Sequence, residues 1–244
     1  MENKIKENCC FFLLKEISEW QLNNSESKIS LPPLQRGFVW KVNQIESLWD
    51  SLLRGFPIGS LLLSKGNDGK LDLLDGQQRA TTIALGFYDP WNDVEKRIGS
   101  LKSNPIVWID LFESEKKESE TKKFTIRVVT KSHPWGYQIK YNEIESAPRL
   151  SSNDRSDALE ILKLINPDYK YTKFPPTKIF PYDAQLPVPL CFVLKAIDEG
   201  KQNWKKYLLD LCQKNLDVEL RTKYFEKSKN ILKNLKRLIL IQNT

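Results

Sequence analysis

The chain has 244 residues, room for one large domain or two small ones, and its 40% apolar and 28% charged content can bury a core, unlike a disordered tail. A formal net charge of +7 and a pI near 9.1 favour an anionic partner without requiring one. Four cysteines without a Cys-x-x-Cys pair, and a single histidine, argue against a zinc site, and no apolar run approaches the length of a membrane span.

The elements follow in chain order. Cys9 to Leu14 reads as a short strand or the start of a helix, with Cys9 and Cys10 as small core residues beside Phe11 and Phe12. This run is too short for a signal peptide, and reduced thiols fit a cytoplasmic protein. Ile17 to Ile29 is polar and reads as a turn region, and Ser30 to Pro33 as extended, since each proline disfavours helix in the residue before it. Asn43 predicts a helix N-cap, with Glu46 reaching back to it and Ile45, Leu48, Trp49, Leu52 and Leu53 forming one apolar stripe that Gly55 ends. Ile58 to Ser64 and Lys70 to Leu74 read as paired strands about the turn Gly66-Asn67-Asp68-Gly69. The spacing then predicts a helix from Gln77 to about Phe87, with Ala80, Ile83, Ala84 and Phe87 facing the core.

Ile106 to Phe112 and Phe124 to Val129 read as two further strands, joined by a solvated loop of nearly cancelling charge from Glu113 to Lys123. A capped amphipathic helix is expected from Asn153 to Ile165, an ordered loop from Tyr169 to Pro189, and a short helix from Leu190 to Asp198. Helix resumes from Asn203, with Trp204, Tyr207, Leu208, Leu211 and Cys212 as one stripe and Tyr224, Ile231, Leu232 and Leu235 as another, broken at Asn215 to Asp217. Arg237 to Gln242 looks like a strand beginning, which suggests a fragment of something longer.

Two clusters carry chemistry. Asp75-Gly76-Gln77-Gln78-Arg79 joins the end of a strand to a helix N-terminus, where free N–H groups and the helix dipole favour an anion. Gly76 would let a ligand approach the backbone, Arg79 can bind phosphate with paired hydrogen bonds, Gln77 and Gln78 can position a water or a base edge, and Asp75 could hold Mg2+ or act as a base. The structural alternative makes Asp75 an N-cap and Arg79 its ion-pair partner. The second cluster, Gln35-Arg36, stands after two stiffening prolines and before Phe38 and Trp40, which share one face of an extended segment; Trp40 suits the core and Arg36 a ligand. The one histidine, His133, lies in the aromatic segment His133-Pro134-Trp135-Gly136-Tyr137, where a structural or a contact role fits. A hydrolytic triad and a P-loop are both missing from the pattern.

The order Leu31-Pro32-Pro33-Leu34-Gln35-Arg36-Gly37-Phe38-Val39-Trp40, then Leu48-Trp49-Asp50-Ser51-Leu52, Gly55-Phe56-Pro57-Ile58-Gly59 and Leu74-Asp75-Gly76-Gln77-Gln78-Arg79-Ala80-Thr81-Thr82 closely resembles the N-terminal domain of GmrSD-type restriction proteins. His133 to Tyr137 and Pro187 to Leu190 are similar to blocks of one branch of that family. The resemblance implies an α+β fold: a small mixed sheet with helices, similar to the ParB/sulfiredoxin fold, over residues 1–130, and a mainly helical extension over 131–244. It also implies a cytoplasmic defence protein that binds and hydrolyses a nucleoside triphosphate with Mg2+, coupled to recognition of modified DNA. Catalysis would fall to Asp75, Gln78 and Arg79, nucleotide binding to Gln35, Arg36, Gly76, Gln77 and Thr81, metal binding to Asp75, and DNA or substrate contact to His133 and Trp135. The His-Asn-His nuclease motif common in the family is not in this sequence, so cleavage is expected from a separate nuclease subunit, or the chain acts as a homo-oligomer. The alternative is a non-catalytic module that binds DNA or a protein in a split system. Gln77 and Gln78 stand where sulfiredoxin carries its cysteine, which excludes thiol repair.

Overall fold

The computed structural model describes residues 10–22, 29–30, 37–66, 69–93, 96–99, 101, 103–111, 124–130, 181, 184 and 187–216. The expected helices at 153–165 and around Tyr224, the strand at 237–242, the 113–123 loop, and Gln35, Arg36, His133 and Trp135 lie outside these residues. Within them are five α-helices and two three-stranded sheets, an α+β architecture.

The first sheet holds β1 (Ile29–Ser30), β2 (Leu62–Lys65) and β3 (Leu71–Asp75) in the order β1-β3-β2. β2 and β3 pair antiparallel as a hairpin, with a register irregularity between Leu62 and Leu63, and β1 joins β3 in parallel. The second sheet is antiparallel, β5 (Thr125–Val129), β4 (Ile106–Asp110) and β6 (Pro187–Pro189) in the order β5-β4-β6. The loop expected up to Pro189 thus ends in a strand. Two prolines are tolerated there because β6 is an edge, where N–H groups facing away from β4 have no ladder to feed. β6 and the helix after it, from the C-terminal half of the sequence, complete the core begun by β4 and β5.

Helix α1 (Leu14–Leu22) replaces the expected turn region. Its polar residues Ser18 and Gln21 are buried beside Ile17 and Trp20, so tertiary packing overrides a sequence that reads as solvated. Cys10, expected in the core, is exposed; among the described residues the buried thiols are Cys191 on α4 (Leu190–Gly200) and Cys212 on α5 (Trp204–Asn215), and burial pushes both above the ordinary cysteine range. A single 3-10 turn, Lys201–Asn203, joins α4 to α5.

Helix α2 (Val42–Leu53) begins one residue before the expected cap. Lys41 is the N-cap, and its backbone N–H donates to the Gln44 side-chain oxygen at 2.8 Å, so Gln44 makes the reach expected of Glu46. The helix ends as expected at Gly55: the Gly55 N–H donates to the Leu52 carbonyl at 3.0 Å and the Phe56 N–H to that of Ser51 at 2.9 Å, a Schellman closure. Helix α3 (Gln77–Phe87) has the expected bounds, but it is buried on nearly every face from Gln78 to Gly86 and not along one stripe. The cause is its position. α2 and α3 divide their apolar residues between two clusters: Ile45, Trp49, Leu53, Ala84 and Leu85 pack with the second sheet and α4, while Leu48, Ala80 and Ile83 pack with Leu73, Ile29 and α1.

Trp49 locks this helix pair. It is completely buried, its indole N–H donates to the Thr82 carbonyl at 2.9 Å, and its ring lies against the backbone of Gly86. A β-carbon at Gly86 would overlap that ring. In an exposed helix Gly→Ala gains about 1 kcal/mol. Here the overlap outweighs it, and Gly86→Ala is expected to cost roughly 1–3 kcal/mol net. In scanning calorimetry the melting temperature should fall by several degrees, at roughly 2–4 °C per kcal/mol. A raised melting temperature would remove Trp49 from this role.

Candidate functional site: the notch at the N-terminus of the third helix

β3 delivers Asp75 to the rim of the first sheet, and the chain turns into α3 through Gly76 at φ +98°. This left-handed conformation is open to glycine and strained for other residues. Gly76, and not Asp75, is therefore the N-cap. A β-carbon at Gly76 would also overlap Leu61, so the turn excludes side chains on two counts. The first helical bond runs from the Ala80 N–H to the Gly76 carbonyl at 2.9 Å. Gln77, Gln78 and Arg79 precede it, and their N–H groups have no acceptor one helical turn back.

The Arg79 guanidinium bridges the loop after α2 and the end of β3. One nitrogen, Nη1, donates to the Ile58 carbonyl at 2.9 Å and the other, Nη2, to Asp75 Oδ2 at 3.0 Å. Gly59, at φ +82°, makes room: a β-carbon there would stand 2.6 Å from Nη1. Arg79 is mostly buried and Asp75 mostly exposed, with relative side-chain exposures of 19% and 73%. The pair is thus an anchored cation facing a solvated anion, the geometry in which a competing phosphate could exchange with the carboxylate. The Ile58 turn is held in its own right. Asp50 Oδ1 accepts from the Phe124 N–H at 2.7 Å, its Oδ2 pairs with Arg54 at 3.2 Å, and Arg54 lies over the Phe56 ring at 4.2 Å.

Gln78 does not point into open space. Its Oε1 accepts from the Val39 N–H at 2.9 Å and the Trp40 N–H at 3.3 Å, while its Nε2 donates to the Gly37 carbonyl at 3.1 Å. The amide expected to orient a reacting water is engaged with backbone. Thr81, expected at the nucleotide, is 2% exposed and does not line the notch.

What remains is a cavity of about 300 Å3 lined by Trp40, Leu74, Asp75, Gly76, Gln77, Gln78 and Arg79. Trp40 and Leu74 give the lining apolar surface; the first turn of α3, Arg79 and Asp75 give it polar and charged groups. Trp40, read from sequence as core, has both roles: it packs on the cluster around Ile17 and Leu73 and faces the cavity. Leu74, missed from sequence, is half exposed on the solvent face of β3, and alternation along the strand was the signal for it. No group of three or more His, Cys, Asp or Glu side chains among the described residues is placed to hold a metal. Asp75 alone fits an ion that arrives on phosphate oxygens and keeps its waters, the habit of Mg2+.

The fold and the notch define an α+β protein with a cavity at a strand–turn–helix corner, lined by Trp40, Leu74 and the residues of that turn. The family model for the N-terminal domain of the GmrSD restriction endonuclease matches residues 17–243, and the chain belongs to that family. It is also similar to an uncharacterized protein of Methanocaldococcus jannaschii, at 30% identity over 89 residues, 27% of this chain and 15% of that protein. The chain thus spans a small part of that relative's length. No solved structure gives a significant match.

Two substitutions separate the roles within the corner. Asp75→Asn removes one end of an exposed ion pair and should change the unfolding free energy by less than about 1 kcal/mol. Gly59→Ala forces a strained φ and displaces the Arg79 guanidinium, and should cost roughly 1–3 kcal/mol. Urea unfolding of both variants checks this, and the reverse order would mean that Arg79 is not seated on the Ile58 turn.

Proposed function

We propose that the chain is a nucleotide-binding domain of a restriction system, hydrolysing a nucleoside triphosphate with Mg2+ in response to DNA. The observation that supports it most is the convergence of Arg79, Asp75 and the first turn of α3 on one cavity. The triphosphate would lie at the helix N-terminus, where backbone N–H groups and the dipole attract negative charge. Its γ-end would compete with Asp75 for Arg79, and the freed carboxylate would hold the Mg2+ that the phosphates bring. The metal would neutralise charge developing on the phosphoryl oxygens. A purine would pack against the apolar lining residues Trp40 and Leu74. Gln77, which lines the cavity, would then be the side chain to orient a water. Gln35 and Arg36, the second polar pair of the sequence, are proposed as further phosphate contacts. His133 and Trp135 are proposed as contacts to DNA or substrate, and a separate nuclease subunit as the partner that cuts.

A second reading, a module that binds DNA without turnover, draws support from Gln78. With that amide engaged, one of the three expected catalytic side chains is withdrawn from chemistry.

Calorimetry and phosphate release distinguish the two. Wild-type protein with Mg2+ is expected to bind at least one of the four nucleoside triphosphates and to release phosphate faster with DNA. Asp75→Asn should lower turnover by roughly a hundredfold or more, the scale seen when a positioned transition-state contact is lost. DNA binding that weakens with salt, without phosphate release, would favour the module. No binding of any nucleotide would overturn the enzymatic reading.

A further inference from the structure

Gln78 makes three of the four hydrogen bonds open to its amide with one short stretch of backbone. Two N–H groups, of Val39 and Trp40, meet at its oxygen, and the Gly37 carbonyl takes its nitrogen. An amide is the one side-chain group that offers an acceptor and a donor side by side, as this backbone stretch requires. A carboxylate has no hydrogen for the Gly37 carbonyl, and an apolar side chain leaves three polar groups unmatched. The partners are far away in sequence, 38 to 41 residues upstream, so the bonds fix tertiary position and not local geometry. Trp40, the residue gripped at its N–H, forms the aromatic wall of the cavity.

We propose that Gln78 is a positioning residue: it seals the Gly37–Trp40 segment onto the start of α3 and so sets the distance between the Trp40 wall and the phosphate end of the notch. Ligand affinity depends on it; the chemical step does not. The kinetic part rests on the nucleotide reading above, whereas the clamp itself is tested without any ligand.

The experiment is amide hydrogen exchange by NMR on the full chain, followed by kinetics with Mg2+ and the nucleoside triphosphate that binds best. In Gln78→Met the Val39 and Trp40 amides should exchange roughly tenfold faster or more, while Ile83 and Leu85 of α3 stay protected. Unchanged exchange at Val39 and Trp40 overturns the proposal. Should Gln78→Met lose protection throughout α3, Gln78→Glu decides. Its second oxygen faces the Gly37 carbonyl and is repelled, so faster exchange at Val39 and Trp40 over an intact α3 is expected, and wild-type rates overturn the assignment. In turnover, KM should rise about tenfold with kcat within about threefold, the pattern of lost uniform binding. A large fall in kcat at constant KM, with Val39 still protected, would place Gln78 in the chemistry and overturn the proposal. A wild-type protein that binds no nucleotide removes the functional reading, and the exchange data alone then decide the clamp.

Discussion

The buried amide of Gln78 and the backbone of residues 37–40 join the two halves of the candidate site, and the rest of the notch is arranged around that junction. On one side is the strand–turn–helix corner of β3 and α3. On the other is an irregular segment with no sheet of its own to hold it. Such a segment has backbone donors and acceptors that must be matched where they are buried, and one glutamine matches three of them. These bonds add to the packing of Trp40 on the cluster around Ile17 and Leu73 in holding the segment against α3.

Arg79 performs the corresponding task for the other flank. By donating to the Ile58 carbonyl it ties the loop after α2 to the first turn of α3, with Gly59 leaving the necessary space. Asp50, Arg54 and Phe56 extend that tie to the start of β5 in the second sheet. The corner is thus braced from both sheets, while Asp75 is exposed at its rim. In the proposed function Arg79 would need little reorganisation to meet a phosphate, since its guanidinium is already held by the Ile58 carbonyl.

The hairpin, the corner and α3 were legible in the sequence because their signals are local: alternation in Lys70 to Leu74, a glycine at the turn, and apolar spacing after it. The end of α2 was legible for the same reason, since Gly55 closes it by bonds within five residues. α1 was not legible, because Ser18 and Gln21 read as solvated and only packing against α3 reveals them as buried. The edge strand at Pro187–Pro189 was hidden by prolines that are tolerated only at an edge. At the site, Asp75, Gly76, Gln77, Gln78 and Arg79 all line one cavity. The role of Gln78 and the burial of Thr81 could not be read, because both depend on which face of α3 meets distant chain.

The central claim, that a nucleotide occupies the notch at the start of α3, is tested most directly by titrating a non-hydrolysable Mg2+–nucleoside triphosphate into 15N-labelled protein. The account predicts that the largest shifts fall on the amides of Gly76, Gln77, Gln78 and Arg79 and on the Trp40 indole, with the amides of β4 and β5 unmoved. Shifts centred on the second sheet, or none at millimolar ligand, would contradict it.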